Sequence, residues 1–231
     1  AVERAMAILA EAENDFSNMK TVEKGVINVA ASDNVINYFL LDPIKRFRAL
    51  YPKVSQRIAN ATSRGSIELV KSGKADVAFV NLPTESAGVE FYGKTGKIHD
   101  VFVAGKKFSH LFDKSLSLSD VSHLPLLFLD SSAMTRKKTE QFAQSLGVKL
   151  EPAIELASIE LVVNMAAEGM GIACVPEEYV KKQIEAGTLK KLDVVPEFPV
   201  REIGVVCAKN TARSYALRLF LQTVTDFSDA E

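Results

Sequence analysis

Short apolar runs alternate with amphipathic stretches through the first third of the chain, and this alternation constrains the fold more than any other feature. The predicted strands are 26–30, 54–59 and 76–80, and the predicted helices between them are 34–50 and 64–72. Tyr51-Pro52 ends the first helix and Gly73 ends the second. A helix between consecutive strands is typical of parallel pairing, so the pattern predicts a βαβαβ unit with helices on the faces of a parallel sheet.

A second series of elements follows the break at residues 81–85. The predicted strands lie near 99–105, 125–129, 153–156, 171–175 and 203–208, and the predicted helices near 135–146, 158–168, 176–186 and 212–226. A chain of 231 residues is long for one compact core. We therefore expect an α/β protein with two lobes of about a hundred residues each.

The N-terminal stretch has a different pattern, with apolar residues at alternating spacings of three and four. This pattern predicts a helix with one apolar stripe, and such a stripe packs against a partner helix or against its own domain. Because the helix would begin without a capping residue, we expect the chain to be a piece of something longer. The stripe consists of Val2, Ala5, Leu9, Ala12, Phe16 and Met19.

Composition and motifs narrow the function. The formal net charge of −1 does not indicate a surface that binds nucleic acid. The sequence has neither an apolar run long enough to span a membrane nor a signal sequence for export. We therefore expect a cytoplasmic protein. Phosphate-loop, dinucleotide-binding and nucleophile-elbow motifs are absent from the sequence, and its histidines lie outside metal-ligand spacing. We therefore expect neither an enzyme nor a cofactor. Cys174 and Cys207 lie in apolar runs typical of buried strands.

Hydroxyl-rich turns follow several of the predicted strands. They are Ser32-Asp33-Asn34, Thr62-Ser63, Asp130-Ser131-Ser132 and Ser158. One interpretation is helix N-capping, in which a side-chain oxygen accepts a backbone N–H. The other is a ligand pocket, because loops at the carboxyl ends of strands and the N-termini of helices bind anions. Both interpretations can hold for the same residues.

The order of these features resembles the regulatory domain of LysR-type transcriptional regulators. The resemblance covers essentially the whole chain, and its order and spacing are more specific than any single motif. It is carried by 16–19 with 25–32, 41–47, Tyr51-Pro52, 63–70, 73–78, 118–120, 125–127, and 169–173 with Pro176.

The resemblance implies a periplasmic-binding-protein-like fold of type II. One lobe would comprise 24–82 and 202–231, the other 86–198, with the effector in the cleft and residues 1–22 as a linker helix. The dimerisation residues would be Val2, Leu9 and Phe16. The implied effector-binding residues are Ser32, Asp33, Asn34, Thr62, Ser63, Asn81, Ser131, Ser132 and Ile203.

The same resemblance implies a sensor function. A small anion or metabolite would bind and alter DNA binding by a winged helix-turn-helix that precedes Ala1 in the intact protein, which would assemble as a dimer or tetramer. A solute-binding protein of a transport system is the alternative. The family usually has a hydroxyl residue after the first serine, whereas here Asp33 and Asn34 follow Ser32.

Overall fold

The computed structural model describes residues 25–83, 88–131, 133–209 and 213–228. It forms two compact units: the first extends to Gly96 and resumes at Glu202, and the second is Lys97–Arg201. The predicted linker helix, with Val2, Leu9 and Phe16, lies outside the described residues.

The secondary structure of the described residues is mainly strand and α-helix. In chain order the strands are β1 (Gly25–Ala31), β2 (Val54–Asn60), β3 (Val77–Asn81), β4 (Val89–Ile98), β5 (Asp100–Ala104), β6 (Ser115–Ser117), β7 (Leu126–Leu129), β8 (Pro152–Leu156), β9 (Ile172–Pro176), β10 (Lys190–Lys191), β11 (Asp193–Val195) and β12 (Arg201–Ala208). The α-helices are α1 (Asp33–Val35), α2 (Leu41–Leu50), α3 (Ser63–Lys71), α4 (Leu118–Ser122), α5 (Met134–Ser145), α6 (Ile159–Ala167), α7 (Glu177–Glu185) and α8 (Tyr215–Ser228). A π-helical turn (Ile36–Leu40) joins α1 to α2, and a 3₁₀ segment (Lys106–Leu111) follows β5.

The first unit is built on a sheet with the order β2-β1-β3-β12-β4. Strand β1 pairs in parallel with β2 and β3, as the βαβαβ pattern predicts, and β12 pairs antiparallel with β3. Helix α3 packs on β1 and β3, where Ile67 and Val70 join a cluster with Ala78 and Val80. Alternate residues of a strand point to opposite faces, so Phe79 lies on the other face of β3. Its ring meets Phe220 of α8 edge-on, at 6.3 Å between centroids.

The second unit is built on a sheet with the order β10-β5-β9-β7-β8. Strands β7, β8 and β9 run parallel, and β5 pairs antiparallel with β9. Phe102, Phe128 and Ile172 form one core cluster with Ala143 of α5. Helix α6 packs on β7 and β9 and approaches the chain closely after β5: a Cβ on Gly105 would lie 2.5 Å from the carbonyl oxygen of Ala166.

Strand β4 was not predicted, and it changes where the units divide. The predicted second lobe began at residue 86, but β4 pairs with β12 in the first sheet, and the division falls between Gly96 and Lys97. The strand escaped prediction because most of its residues between Val89 and Ile98 are exposed or half-buried and include two glycines. The sequence pattern also missed β6, β10 and β11, which have two or three residues each.

The helix predicted over residues 34–50 is not one continuous α-helix. A π-helical turn, Ile36–Leu40, separates α1 from α2. Pro43 has no N–H to donate to the carbonyl of Phe39, so it cannot continue a regular α-helix at that point, whereas the first turn of a new helix accommodates it. Helix α2 begins at Leu41 with Pro43 buried in its first turn.

Candidate functional site

The first unit brings several predicted site residues to one edge of its sheet. Because β1, β2 and β3 are parallel, their carboxyl ends meet at this edge. The loops after β1 and β2 are joined directly, since the N–H of Ala61 donates to the carbonyl of Ala31 at 3.0 Å. The turns that begin at Ser32 and Thr62 are therefore neighbours, as the pattern predicts.

The two hydroxyl turns of this edge cap helices. Ser32 is the N-cap residue of α1, and its Oγ accepts the N–H of Val35 at 3.4 Å. Thr62 is the N-cap residue of α3, and its Oγ1 accepts the N–H of Gly65 at 3.3 Å. The predicted capping role is confirmed at both residues. An N-cap side chain satisfies one of the four N–H groups that a helix start leaves without an intrahelical partner.

Side-chain hydrogen bonds tie the same edge together across strands. The N–H of Asp33 donates to Oδ1 of Asn60 at 3.1 Å. The backbone N–H of Asn81 donates to Oγ of Ser63 at 3.1 Å, and its Nδ2 lies 3.4 Å from the same oxygen. Asn60 was not a predicted site residue, although it ends β2 and a polar residue at a strand end is the signal that could have identified it.

Asn34 and Ile203 occupy different surroundings at this edge. The N–H of Asn34 donates to Oδ1 of Asp33 at 3.0 Å, and its side chain is half-buried. Ile203 lies opposite Asn81 in the antiparallel ladder of β12 and β3. Its side chain is fully buried. The contact with an effector that was predicted for Ile203 stays a prediction.

The second unit has a corresponding edge where β7 and β8 end. The N–H of Asp130 donates to the carbonyl of Leu156 at 2.9 Å, which places the loops after these strands side by side. Ser158 caps α6 through the N–H of Leu161 at 3.4 Å, as predicted. Ser131 is exposed in the neighbouring loop. Ser132 lies outside the described residues.

Capping by hydroxyl groups fails at α5. The N-cap residue there is Ala133, and no side-chain capping hydrogen bond forms. The helix starts at Met134, so its N-cap residue lies just after the Asp130-Ser131-Ser132 turn. The prediction that a residue of this turn is the N-cap is therefore wrong. The N-cap residue of α5 therefore contributes no side-chain hydrogen bond to the first N–H groups of the helix.

Two buried arginines near this edge were not among the predicted site residues. Arg136 is 6% exposed; it donates from Nε to Oε1 of Glu140 at 2.6 Å and from Nη1 to the carbonyl of Leu129 at 3.2 Å. Arg201 donates from Nε to Oδ2 of Asp100 and from Nη2 to Oδ1, both at 2.6 Å. Since Asp100 and Arg201 are 101 positions apart, a local motif could not reveal their pairing.

Three further observations limit the chemistry of the described residues. Both cysteines are buried, and burial raises the pKa of the Cys174 and Cys207 thiols, which keeps them protonated. No group of three or more histidine, cysteine, aspartate or glutamate residues could hold a metal ion in the described ranges. Over the same ranges, no helix is both long and apolar enough to cross a membrane.

The profile of the LysR substrate binding domain matches residues 20–228 of this chain. The chain belongs to the LysR substrate-binding-domain family. Its relatives include the uncharacterized HTH-type transcriptional regulator YeiE of Escherichia coli K12, 25% identical over 94% of this chain and 73% of that protein. A probable RuBisCO transcriptional regulator of Porphyra purpurea is 24% identical over 96% of this chain and 71% of that protein.

Solved structures of the family share the fold of this LysR-family domain. The regulatory domain of Synechocystis CcmR in complex with 2-PG has a TM-score of 0.80 at 16% identity, covering 90% of this chain and 99% of that one. HinK of Pseudomonas aeruginosa has a TM-score of 0.78 at 21% identity, covering 99% and 79%. The effector-binding domain of QuiR in complex with shikimate has a TM-score of 0.76 at 15% identity, covering 89% and 98%. The predicted fold class is thus confirmed.

Family membership also decides between the functional alternatives. The family comprises effector-binding domains of transcriptional regulators, and the relatives are named as regulators. The LysR-family domain is therefore a ligand-sensing part of a transcriptional regulator, and it is neither a transport protein nor an enzyme.

Proposed function

We propose that this LysR-family domain senses a small polar metabolite through the loops at the carboxyl ends of β1, β2 and β3. The main support is the edge of the first unit's sheet, where backbone and side-chain hydrogen bonds hold a set of polar residues in place. These residues are Ser32, Asp33, Asn60, Ser63 and Asn81. Groups fixed in this way need little further ordering when they bind a ligand, which favours affinity.

The chemistry of this edge favours an effector with several hydrogen-bonding groups. Hydroxyls and amides both donate and accept, and the start of α3 adds a positive dipole end that favours an anionic group. The carboxylate of Asp33 provides an acceptor for hydroxyl groups of the same ligand. Two structural relatives are in complex with small molecules, 2-PG and shikimate, which supports a small-molecule effector for this chain.

The turns at Ser131 and Ser158 are the proposed contribution of the second unit. The N-cap residue of α5, Ala133, has no side-chain acceptor, and the N-terminus of this helix suits a negatively charged group of the ligand. Ser132 and Ile203 remain predicted contacts of the same effector.

In the intact regulator, effector binding would shift the population of two arrangements of the protein and thereby change DNA affinity. A coupling of about 1 to 3 kcal/mol changes that affinity several-fold. The DNA-binding helix-turn-helix would lie in the part of the relatives that this chain does not match, and the proposed location is the cytoplasm, where a bacterial regulator meets DNA. The apolar stripe with Val2, Leu9 and Phe16 supports self-association as a dimer, or as a tetramer in the intact protein.

Ligand binding by serine variants tests the proposed site. A thermal-shift screen of small carboxylates, phosphate esters and sulfate identifies a ligand, and calorimetry then compares the variants Ser32→Ala and Ser131→Ala with the parent chain. Each lost charge-assisted hydrogen bond should weaken binding by about 1 kcal/mol or more. Ser72→Ala is the matched control, since the Ser72 hydroxyl donates to the carbonyl of Glu68 at the other end of α3. Parent-like affinity in both test variants would remove these residues from the site.

Sedimentation tests the proposed self-association. The chain should be at least dimeric at tens of micromolar, and Leu9→Glu should shift it towards monomer by placing a charge in the apolar stripe. Monomeric behaviour of the parent chain would count against the interface.

A further inference from the structure

The second unit contains a cavity that shares no residue with the proposed effector site. Its volume is about 390 Å³, and residues of β5, β10, β11 and the segment 197–200 line it. Small-molecule sites in proteins are clefts of about 300 to 1,000 Å³, mostly apolar and with a few polar groups. The cavity is large enough for a compact organic ligand.

The accessible walls of this cavity are apolar and partly aromatic. Phe112, Phe198 and Val200 line it with half-buried or exposed side chains, whereas the lining residues Phe102, Leu192 and Val194 are buried in the core of the unit. The ring of Phe198 packs on that of Phe102 at 5.4 Å between centroids and on that of the half-buried Phe142 at 5.3 Å. Such walls favour a ligand with an apolar body, and the faces of aromatic rings also attract cations.

The charged residues of the lining are not balanced. Lys191 pairs with Glu177 at 2.8 Å, and Asp100 is engaged by the buried guanidinium of Arg201. Within the described part of the chain, the lining carboxylates Asp193 and Glu197 have no ion pair, and one ammonium group of the lining, Lys190, is likewise unpaired. The unpaired charge of the cavity is therefore negative on balance.

We propose that this cavity binds a small primary amine with an aromatic or branched apolar body, as a second ligand separate from the effector. The apolar body would lie against Phe112, Phe198 and Val200, and the ammonium group would be neutralised by Asp193 and Glu197.

The cavity lies next to both ends of the second unit, a position from which a second ligand could influence the regulator. His99 and Val200 line it, and they lie within three residues of Lys97 and Arg201, the bounds of the second unit. An occupied cavity would hold both segments through which the chain enters and leaves this unit. A ligand that orders these segments would favour whichever arrangement of the regulator keeps them fixed.

The test is an amide NMR titration of this chain with two probes that share a body and differ in charge. 2-Phenylethylamine is protonated at neutral pH, and 3-phenylpropionate is an anion. We expect the amine to shift the amide signals of Val101, Leu192 and Val200 with saturation, and the anion to bind at least threefold more weakly, as one favourable surface ion pair implies.

Charge variants then locate the ammonium group. The double variant Asp193→Asn, Glu197→Gln should lower amine affinity about threefold or more. Glu185→Gln is the matched control, since Glu185 is exposed on α7 of the same unit and does not line the cavity. All three residues are exposed, so the folded state should survive the changes. The proposal is overturned if the amine does not bind, if the anion binds as tightly, or if the double variant keeps the parent affinity.

Discussion

Removing the carboxylate of Asp100 tests the most deeply buried charge pair of the described residues. Asp100 begins β5 and receives two hydrogen bonds of 2.6 Å from Arg201, the first residue of β12. The side chains of Asp100 and Arg201 are only 3% and 6% exposed. Nη2 of Arg201 also donates to the hydroxyl of Thr135 at 3.2 Å. The variant Asp100→Ala removes both carboxylate acceptors and leaves the guanidinium buried.

The expected loss in the free energy of unfolding of Asp100→Ala follows from the burial of this ion pair. Breaking a buried ion pair by removing one partner costs about 3 to 5 kcal/mol, because the charge that remains loses the ion pair that offset its desolvation. The free energy of unfolding of a domain is about 5 to 15 kcal/mol, so Asp100→Ala should remove a large part of it. The exposed pair of Asp42 and Lys45 provides the control: Asp42→Asn should change the free energy of unfolding by less than about 0.5 kcal/mol.

Urea unfolding followed by circular dichroism measures these differences, and hydrogen exchange at β5 amides assigns the loss to the second unit. The double variant Asp100→Leu, Arg201→Met supplies the decisive comparison, because replacing both charges with apolar groups of similar size is often neutral or stabilising. We expect it to be more stable than Asp100→Ala. A cost below about 1 kcal/mol for Asp100→Ala, or a double variant less stable than the single one, would refute the assignment of a desolvated pair.

Three other predictions concern single positions. Ala133→Asp should raise the free energy of unfolding by about 0.5 to 1 kcal/mol, because it gives α5 the N-cap side chain that it lacks; an unchanged urea midpoint would contradict this. Gly105→Ala should lower the urea midpoint by an amount equivalent to about 1 to 3 kcal/mol, since its Cβ would collide with the Ala166 carbonyl, and a parent-like midpoint would argue against that close approach. The thiols of Cys174 and Cys207 should react with a thiol reagent only on unfolding. Because burial raises their pKa, their contribution to stability is present below about pH 8.5 and is lost as the pH rises further; rapid labelling of the native protein at pH 7 would contradict the burial.

The features that the sequence predicted well are encoded by neighbouring residues. The apolar run at 26–30 forms the interior of β1, and Ser32, Thr62 and Ser158 each cap the helix that follows them. A cap depends on a hydroxyl and an N–H three positions later, so short-range pattern is enough to find it. The same holds for the alternation of strand and helix that predicted the parallel pairing of β1, β2 and β3.

The features that were missed depend on residues distant in the chain. β4 has little apolar pattern of its own and is placed by pairing with β12, more than a hundred positions later. The pairing of Asp100 with Arg201 is a contact of the same kind. Pairing partners of a sheet are chosen by the packing of the whole unit, and the sequence around each strand contains no information about its partner.

The first unit is built from two separate stretches of the chain, and this affects how it can fold during synthesis on the ribosome. The second unit is one continuous segment and can fold once Arg201 has emerged. The first unit cannot, because β12, which lies between β3 and β4 in its sheet, is made last of all its strands. Until then β3 and β4 each present an open strand edge to other nascent chains. A premature stop shortly after Arg201 would thus leave the second unit whole and the first unit missing an interior strand.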